Sequence, residues 1–439
     1  MNKKAVIDHY WVDFLKQGEK SSKKIGVEWE VIGFEKNSLK RLSYAQISQQ
    51  ITEFVKKGWQ PLYEGKNIIG ATLSGESLSI EPGGQLEYSS APCAQLCYIK
   101  ERLYFFQQEI EIFAKKQGWI WISVGIDPFS DVDNIPLIPK FRYKMMSEYL
   151  KKYGSHASDM MRKSASLQIS FDYASEQDMR QKFLVAQYLT PIGIALFSSS
   201  GLNERQISSF NCHRAFAWME LDPVRTGLLK RVFNDNFSYY DYVKFALSVP
   251  MLSLIREGVV QDFTGGDFAE FWRNGSDKIK PEKEDWLEHL RAIFTFIRLK
   301  NVMELRIADA TSSKINLAQI SFFLGLLYHQ PNLEKLAQKA LSLGFDNING
   351  LTKAAINNGL QGSFNQFSIN ELAQEALNMA KKGIKQLEPT ASNFLDPLDQ
   401  LIATGDNLST QISNLYKSTA SPSKERILEI LTKFELVFC

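Results

Sequence analysis

Ser77-Leu78-Ser79-Ile80-Glu81-Pro82-Gly83-Gly84-Gln85-Leu86-Glu87-Tyr88-Ser89-Ser90-Ala91-Pro92 is the stretch on which the reading of this chain turns. Leu78 to Glu81 alternates as a short strand, Pro82-Gly83-Gly84 is a turn signal, and Gln85 to Tyr88 resumes in extended form. Glu81 and Glu87 therefore flank a bend. Alternate side chains of an extended segment share a face, so Gln85 and Glu87 are expected to point the same way. Carboxylates gathered away from water repel one another and are costly to desolvate unless positive charge lies between them. A hard cation such as Mg²⁺ suits oxygen ligands of this kind. In isolation an acidic turn in water fits the stretch at least as well, so the other strands decide.

Three more stretches carry the same pattern. In Lys23 to Glu35, Ile25, Val27, Trp29 and Val31 alternate with Gly26, Glu28, Glu30 and Ile32, which puts Glu28 and Glu30 on one face about 7 Å apart. In Ser164 to Tyr173, Leu167, Ile169, Phe171 and Tyr173 oppose Ser166, Gln168, Ser170 and Asp172. In Val302 to Ile307, Glu304 and Arg306 share a face. Each stripe alone reads as a solubilising strand surface. Together they predict an α+β fold: one antiparallel sheet with an apolar face on helices and a concave, carboxylate-lined face. Five glutamates on one such surface call for two or three Mg²⁺ ions, which also clamp nucleotide phosphates.

The rest of the chain narrows the class. Its 439 residues carry 51 basic and 49 acidic side chains, a net charge of +2, which argues against a nucleic-acid partner. The N-terminus lacks a signal-peptide pattern and no apolar run reaches membrane-spanning length, so the expectation is a cytoplasmic protein without a membrane. Cys93, Cys97, Cys212 and Cys439 read as free thiols, and the spacing of the first two fits neither a zinc pair nor a thioredoxin motif. Phosphate-cradling glycine loops, kinase signatures and nucleophile elbows are absent. His156 and His213 read as lone histidines in surface or core roles. Helical spacing is expected in 5–17, 42–57, 96–116, 141–153, 176–197 and 239–256, and in most of the chain from 315 on. A single domain over 1–439 is expected, with 315–439 a mainly helical C-terminal part.

On these residues the chain resembles the plant and proteobacterial type of glutamate–cysteine ligase, within the ATP-dependent carboxylate–amine ligases. Ile25 to Phe34 is similar to the family's Gly-Thr-Glu-His-Glu-Lys-Phe-Gly-Phe, and Ser79 to Glu87 to its Ser-Leu-Glu-Pro-Gly-Gly-Gln-Phe-Glu, the most specific motif. Ile138 to Tyr143 resembles Met-Pro-Lys-Gly-Arg-Tyr, and Leu167 to Tyr173 resembles Val-Gln-Val-Asn-Leu-Asp-Phe. Asp285-Trp286 through Asp309 follows the Asp-Trp…Arg-Leu-Lys…Met-Glu-Met-Arg-Gly-Ala-Asp block. The likeness spans nearly the whole chain.

The resemblance implies a half-barrel sheet surrounded by helices. It also implies a reaction in which ATP phosphorylates the γ-carboxylate of glutamate and cysteine's amine displaces phosphate, the first step of glutathione synthesis. By position, Glu28, Glu30, Glu81, Glu87 and Glu304 are the implied metal ligands for two to three Mg²⁺, with Mn²⁺ able to substitute. Arg306, Gln168 and Arg225 are implied on the nucleotide side. Arg214, Trp218 and Arg142 are implied on the substrate side, with Arg306 and Arg214 the catalytic pair. Partners are then small molecules, and the assembly a monomer or homodimer. The departures are Trp29 for His, Ser170 for Asn, Phe141 for Gly, Lys163 for Arg, Thr295-Phe296 for Pro-Glu and Ile307 for Gly. They leave two alternatives beside the main reading: a ligase for a different amine or acid, and a homologue without catalysis that binds or regulates. The cysteine pairs of the plant enzymes have no counterpart.

Overall fold

The sheet is built on strand β1 (Ile25–Glu35), whose alternating side chains give it one apolar and one polar face along its first half. A computed structural model describes residues 9–439 apart from 235, 277–278 and 419–422. The other strands are β2 (Gln60–Glu64), β3 (Asn67–Leu73), β4 (Glu76–Ile80), β5 (Leu86–Ser89), β6 (Trp119–Ile122) and β7 (Ser166–Phe171). The hairpin Ile297–Leu299/Met303–Asp309 and the C-terminal strand Val437–Phe438 complete the sheet. Its path is Ile297–Leu299, Met303–Asp309, β7, β1, β5, β4, β3, β2, and every pairing is antiparallel. β1 divides its partners: 25–31 pair with β7 and β5, whereas 32–35 pair with β6, which in turn holds Val437–Phe438. The sheet is open, and that branching along one long strand wraps it around its polar face.

Helices α1 (His9–Lys16), α2 (Tyr44–Lys56), α3 (Leu96–Gln117), α4 (Phe141–Leu150), α5 (Ala157–Lys163), α6 (Glu176–Leu196) and α7 (His213–Met219) follow in chain order, and helices dominate from Ser313 on. The apolar stripe of β1 packs on α3. Trp29 meets Phe106 and Phe438 edge-on, both at 5.6 Å between centroids, and Tyr88 stacks on Phe106 at 5.0 Å. Trp29 is therefore a core residue facing away from Glu28 and Glu30, and its Nε1 donates to Ser123 Oγ at 2.9 Å.

The Pro-Gly-Gly bend depends on its glycines. A Cβ on Gly83 would lie 2.1 Å from the Arg162 carbonyl oxygen, and Gly84 has φ +84°. Gln85 does not join Glu87 on the polar face. It is buried, accepting from Gly83 N at 2.9 Å and donating to the Ser164 carbonyl at 2.7 Å, so it locks the bend.

Three helical expectations change. The run expected to be helical over 239–256 stops at Leu247, and Ser253–Arg256 then pairs with Val259–Asp262, because Pro250 cannot continue the ladder. The helix expected over 332–343 does end at Gly344, whose φ is +74°, but the chain is helical again from there to Asn358, where no helix was expected. The last helix ends at Lys433, and Phe438 enters the core beside Trp29 as part of a strand. The Ser418–Ser423 joint falls largely outside the described residues.

Candidate functional site: a carboxylate-lined sheet face

Register brings the acidic stripes together. Glu30 lies directly across from Glu87, and Glu28 lies between Gln168 on one side and Ser89 on the other. Ser79, across from Glu87, places its Oγ 3.1 Å from a carboxylate oxygen of both Glu81 and Glu87. One hydroxyl proton satisfies only one of them. Glu30 accepts from Ser166, from the backbone N at 2.6 Å and from Oγ at 3.0 Å. Among the described residues none of Glu28, Glu30, Glu81 and Glu87 sits in an ion pair.

The electrostatics follow from that crowding. Burial first, and then Glu81, push Glu30 up to about 7, against the pull of Arg214, Ser166 and Arg306. Burial, followed by Glu81, Glu28 and Glu30, pushes Glu87 well above the usual carboxylate range. Burial and then Glu304 raise Glu28. Three recessed carboxylates are thus held toward their protonated forms for want of a counter-charge. An all-oxygen set in that condition fits a hard divalent cation.

Glu304 is in the opposite state. It lies across from Ser170 on the same face and is fully buried. Arg298, its neighbour in the hairpin, donates in a fork from Nε at 2.6 Å and Nη2 at 2.9 Å. Lys300 Nζ stands at 3.3 Å and Arg306 Nη1 at 3.1 Å. Burial alone would raise Glu304, but Arg298, Lys300 and Arg306 outweigh it and hold it well below the usual carboxylate range.

A bulge places the arginines. Leu305 pairs with Ile169 and Ala308 with Leu167, so Arg306 and Ile307 together oppose Gln168. Arg306 Nη1 donates to Gln168 Oε1. The Arg306 and Ile307 carbonyls, outside the β7 ladder, accept from Arg214 at 3.2 and 3.5 Å. The extra residue also turns Asp309 to the side of Ser166, where it stands 3.9 Å from Arg214. Both guanidinium groups lie on Trp218, Arg306 at 5.0 Å and Arg214 at 5.5 Å from the ring centroid.

Two expected residues are not brought to this face. Arg225 is sealed in the core, with donors on Asp222 at 2.8 Å and on Ala292, Tyr149 and Pro250. Phe294 lies against both Arg225 and Trp218. Arg142 turns to Glu288, Nη1 to Oε1 at 2.5 Å. Its neighbours lie closer to Glu81: Lys140 donates to the Ile80 carbonyl at 2.6 Å, and the Tyr143 hydroxyl stands 3.4 Å from a Glu81 carboxylate oxygen. Sequence reasoning missed Arg298 and Lys300 as partners of Glu304. Folding the tight hairpin around Asn301 puts Arg298 across from Glu304, and that was the available signal.

The chain matches the glutamate-cysteine ligase family 2 (GCS2) profile over residues 24–430. It is 32% identical over 426 residues to the chloroplastic glutamate–cysteine ligase of Medicago truncatula, covering 96% of this chain and 84% of that protein. It is 31% identical to the chloroplastic enzyme of Nicotiana tabacum, covering 96% and 82%. Among solved structures, the Francisella tularensis glutamate–cysteine ligase in complex with AMP shares the fold, with a TM-score of 0.52 at 11% identity over 95% of this chain and 90% of that one. These relatives overturn one expectation: they are chloroplastic enzymes, so the cytoplasmic assignment does not stand. It rested on the lack of a recognisable leader and of apolar runs, which does not identify a compartment. No helix among the described residues is long and apolar enough to cross a membrane. With a match across almost its entire length, the chain belongs to the glutamate–cysteine ligase family and is an ATP-dependent carboxylate–amine ligase.

Proposed function

We propose that this chain makes γ-glutamylcysteine from glutamate, cysteine and ATP through an acyl phosphate. The observation that carries the reading is an uncompensated set of four carboxylates beside two guanidinium groups that share one tryptophan. Phosphoryl transfer is catalysed by positioning and by charge placed where charge develops. Glu28, Glu30, Glu81 and Glu87 would hold two to three Mg²⁺, whereas Glu304, also expected as a ligand, is already taken up by Arg298, Lys300 and Arg306. Bound there, Mg²⁺ or Mn²⁺ supplies neutralisation of the triphosphate. Arg306, aimed by Glu304 and Gln168, receives the charge on the transferring γ-phosphoryl group. Arg214 and Trp218 receive the substrate carboxylate, whereas Arg142, paired with Glu288, takes no part. Arg225 acts through Phe294 to support Trp218.

In the first step a γ-carboxylate oxygen attacks the γ-phosphorus, and ADP leaves with the electrons of the broken P–O bond. In the second the free amine attacks the acyl carbon, phosphate leaves with the C–O electron pair, and the amine releases a proton. We read 1–439 as one domain, because the strand Val437–Phe438 ties the helical part 315–439 back onto the sheet.

ADP release with glutamate and a panel of amines tests the function. ADP with cysteine, accompanied by γ-glutamylcysteine, supports it, and no ADP with any acid and amine refutes it. Oxygen-18 in the γ-carboxylate should appear in phosphate; label in AMP would refute the acyl-phosphate route. One observation favours another amine as the alternative: Ile307, where the family carries glycine, lies in the bulge beside Arg306. ADP released only with a different amine would establish that reading.

A further inference from the structure

His156, Asp159 and His213, none of them part of the glutamate cluster, come together at the junction of α5 and α7. His156 is the N-cap residue of α5 and Asp159 lies in that helix's first turn, where His156 Nδ1 and Asp159 Oδ2 are 2.9 Å apart. His213 opens α7 from the other side. The imidazoles stand nearly perpendicular, 81° between ring planes with centroids 6.2 Å apart, both against Phe216. One ligand atom from each residue falls within 4.8 Å of the others. Ligands bound at about 2.0–2.2 Å in a tetrahedron are roughly 3.3 Å apart, so small side-chain rotations close the set.

We propose that His156, Asp159 and His213 form a second metal site, selective for a transition-metal dication of the Zn²⁺ class. Donor chemistry separates it from the catalytic face. Two imidazoles and one carboxylate favour Zn²⁺ or Co²⁺, whereas the glutamates offer only oxygen and favour Mg²⁺ or Mn²⁺. The supporting shell is present. Ser208 Oγ, 2.9 Å from Nδ1, fixes the His213 ring and leaves Nε2 as the ligand atom, which only the Asn203 amide approaches, at 3.4 Å. Lys163, a neighbouring cation, is paired with Glu204 at 3.0 Å and donates to Asn203. Burial pushes the His213 imidazole down to about 4, which keeps it neutral and able to ligate. His156 and Asp159 have side-chain exposures of 31% and 14%, which gives an ion a way in. The consequence is mechanical. A bound ion staples α5 to α7, and α7 carries Arg214 and Trp218, so the site braces the substrate-side arginine from outside the chemistry.

The test uses the full chain, stripped of metal and held in saturating Mg²⁺ so that the glutamate face is filled. Titration with Co²⁺ should give a single equivalent with the visible ligand-field absorption of an imidazole-ligated ion, and Zn²⁺ should displace it and raise the melting temperature. His156→Ala and Asp159→Asn should each weaken Co²⁺ binding by about a hundredfold or more while melting like wild type without transition metal and keeping activity in Mg²⁺. A wild-type protein with no such absorption overturns the proposal, whatever the variants do. So does an absorption unchanged in both variants, or one abolished by Glu87→Gln, which would place the ion among the glutamates.

Discussion

Glu304→Gln should loosen the protein as well as slow it, because the residue it replaces is the buried anion that pairs with Arg298, Lys300 and Arg306. Glutamine keeps the shape and one acceptor oxygen but removes the charge. Arg298 cannot swing out to water: it is 7% exposed and its Nη1 also donates to the Arg291 and Ile293 carbonyls, at 3.1 and 3.3 Å. Leaving a buried cation without its partner costs about 3–5 kcal/mol. The retained acceptor oxygen puts this variant at the lower end, about 3 kcal/mol, or roughly a hundredfold in the folding equilibrium. For a chain of this length, with an unfolding entropy of about 2.1 cal/mol/K per residue, the melting temperature falls by on the order of 3 °C.

The denaturant midpoint and the half-life for thermal inactivation are the assays, since unfolding of a chain this long need not be reversible. The sign with pH follows from Glu304's depressed pKa. Its contribution is fully present above the unfolded carboxylate range near pH 4.5 and is lost only as pH falls through the much lower folded value. The gap between variant and wild type should therefore hold at neutral pH and narrow only in strong acid. Arg298→Met combined with Glu304→Leu should recover only part of the loss, because Lys300 and Arg306 still lack their anion. A Glu304→Gln protein with the midpoint and half-life of wild type would refute the arginine-fork reasoning outright.

Glu87→Gln should do the reverse: it removes an uncompensated buried charge, so the chelated variant should melt above the chelated wild type while losing about a hundredfold in turnover, and a lower melting point would contradict the cluster's electrostatics. The chelated wild type should also lose stability through Glu30 as pH rises. Glu30 is raised from 4.5 to about 7, so its contribution is full below about pH 4.5 and is lost as pH rises through about 7; a Glu30→Gln variant with the same pH profile would count against this. Arg306→Lys keeps the charge but not the planar fork that spans Glu304 and Gln168, and turnover should fall by about a hundredfold with melting unchanged. Activity should vanish in chelator and return with Mg²⁺ or Mn²⁺; full activity in chelator would remove the metal clamp.

Strand alternation was legible because it is local. The stripes of β1, β7 and Met303–Asp309 each show a two-residue period, and the Pro-Gly-Gly bend marks itself. Glu28, Glu30, Glu81 and Glu87 could be grouped once the strands were assumed to be neighbours. Gln85 misled for a physical reason: parity places it with Glu87, but the bend needs an amide to hold Gly83 and Ser164, and that local demand outweighs the strand's period. His156 and His213 looked solitary because their meeting depends on how α5 packs beside α7, which no spacing reports.

The bulge at Arg306 shows where reading by period gives way. Strict alternation puts Glu304 and Arg306 on the polar face and sends Asp309 to the apolar one. The structure keeps the first pair, inserts an extra residue, and so brings Asp309 to the polar side as well. The two carbonyls freed by that insertion need donors, and Arg214 supplies them from a helix far away in the chain. Arg214 is thus positioned by backbone groups that regular pairing would have used up, and Asp309 stands ready to share its charge. An irregularity in one strand therefore aligns two arginines on one tryptophan, facing the carboxylates that the regular parts of the sheet collect. The regular strands were readable because each obeys its own period. The alignment was not, because it depends on a defect whose cost is met by a side chain from another element.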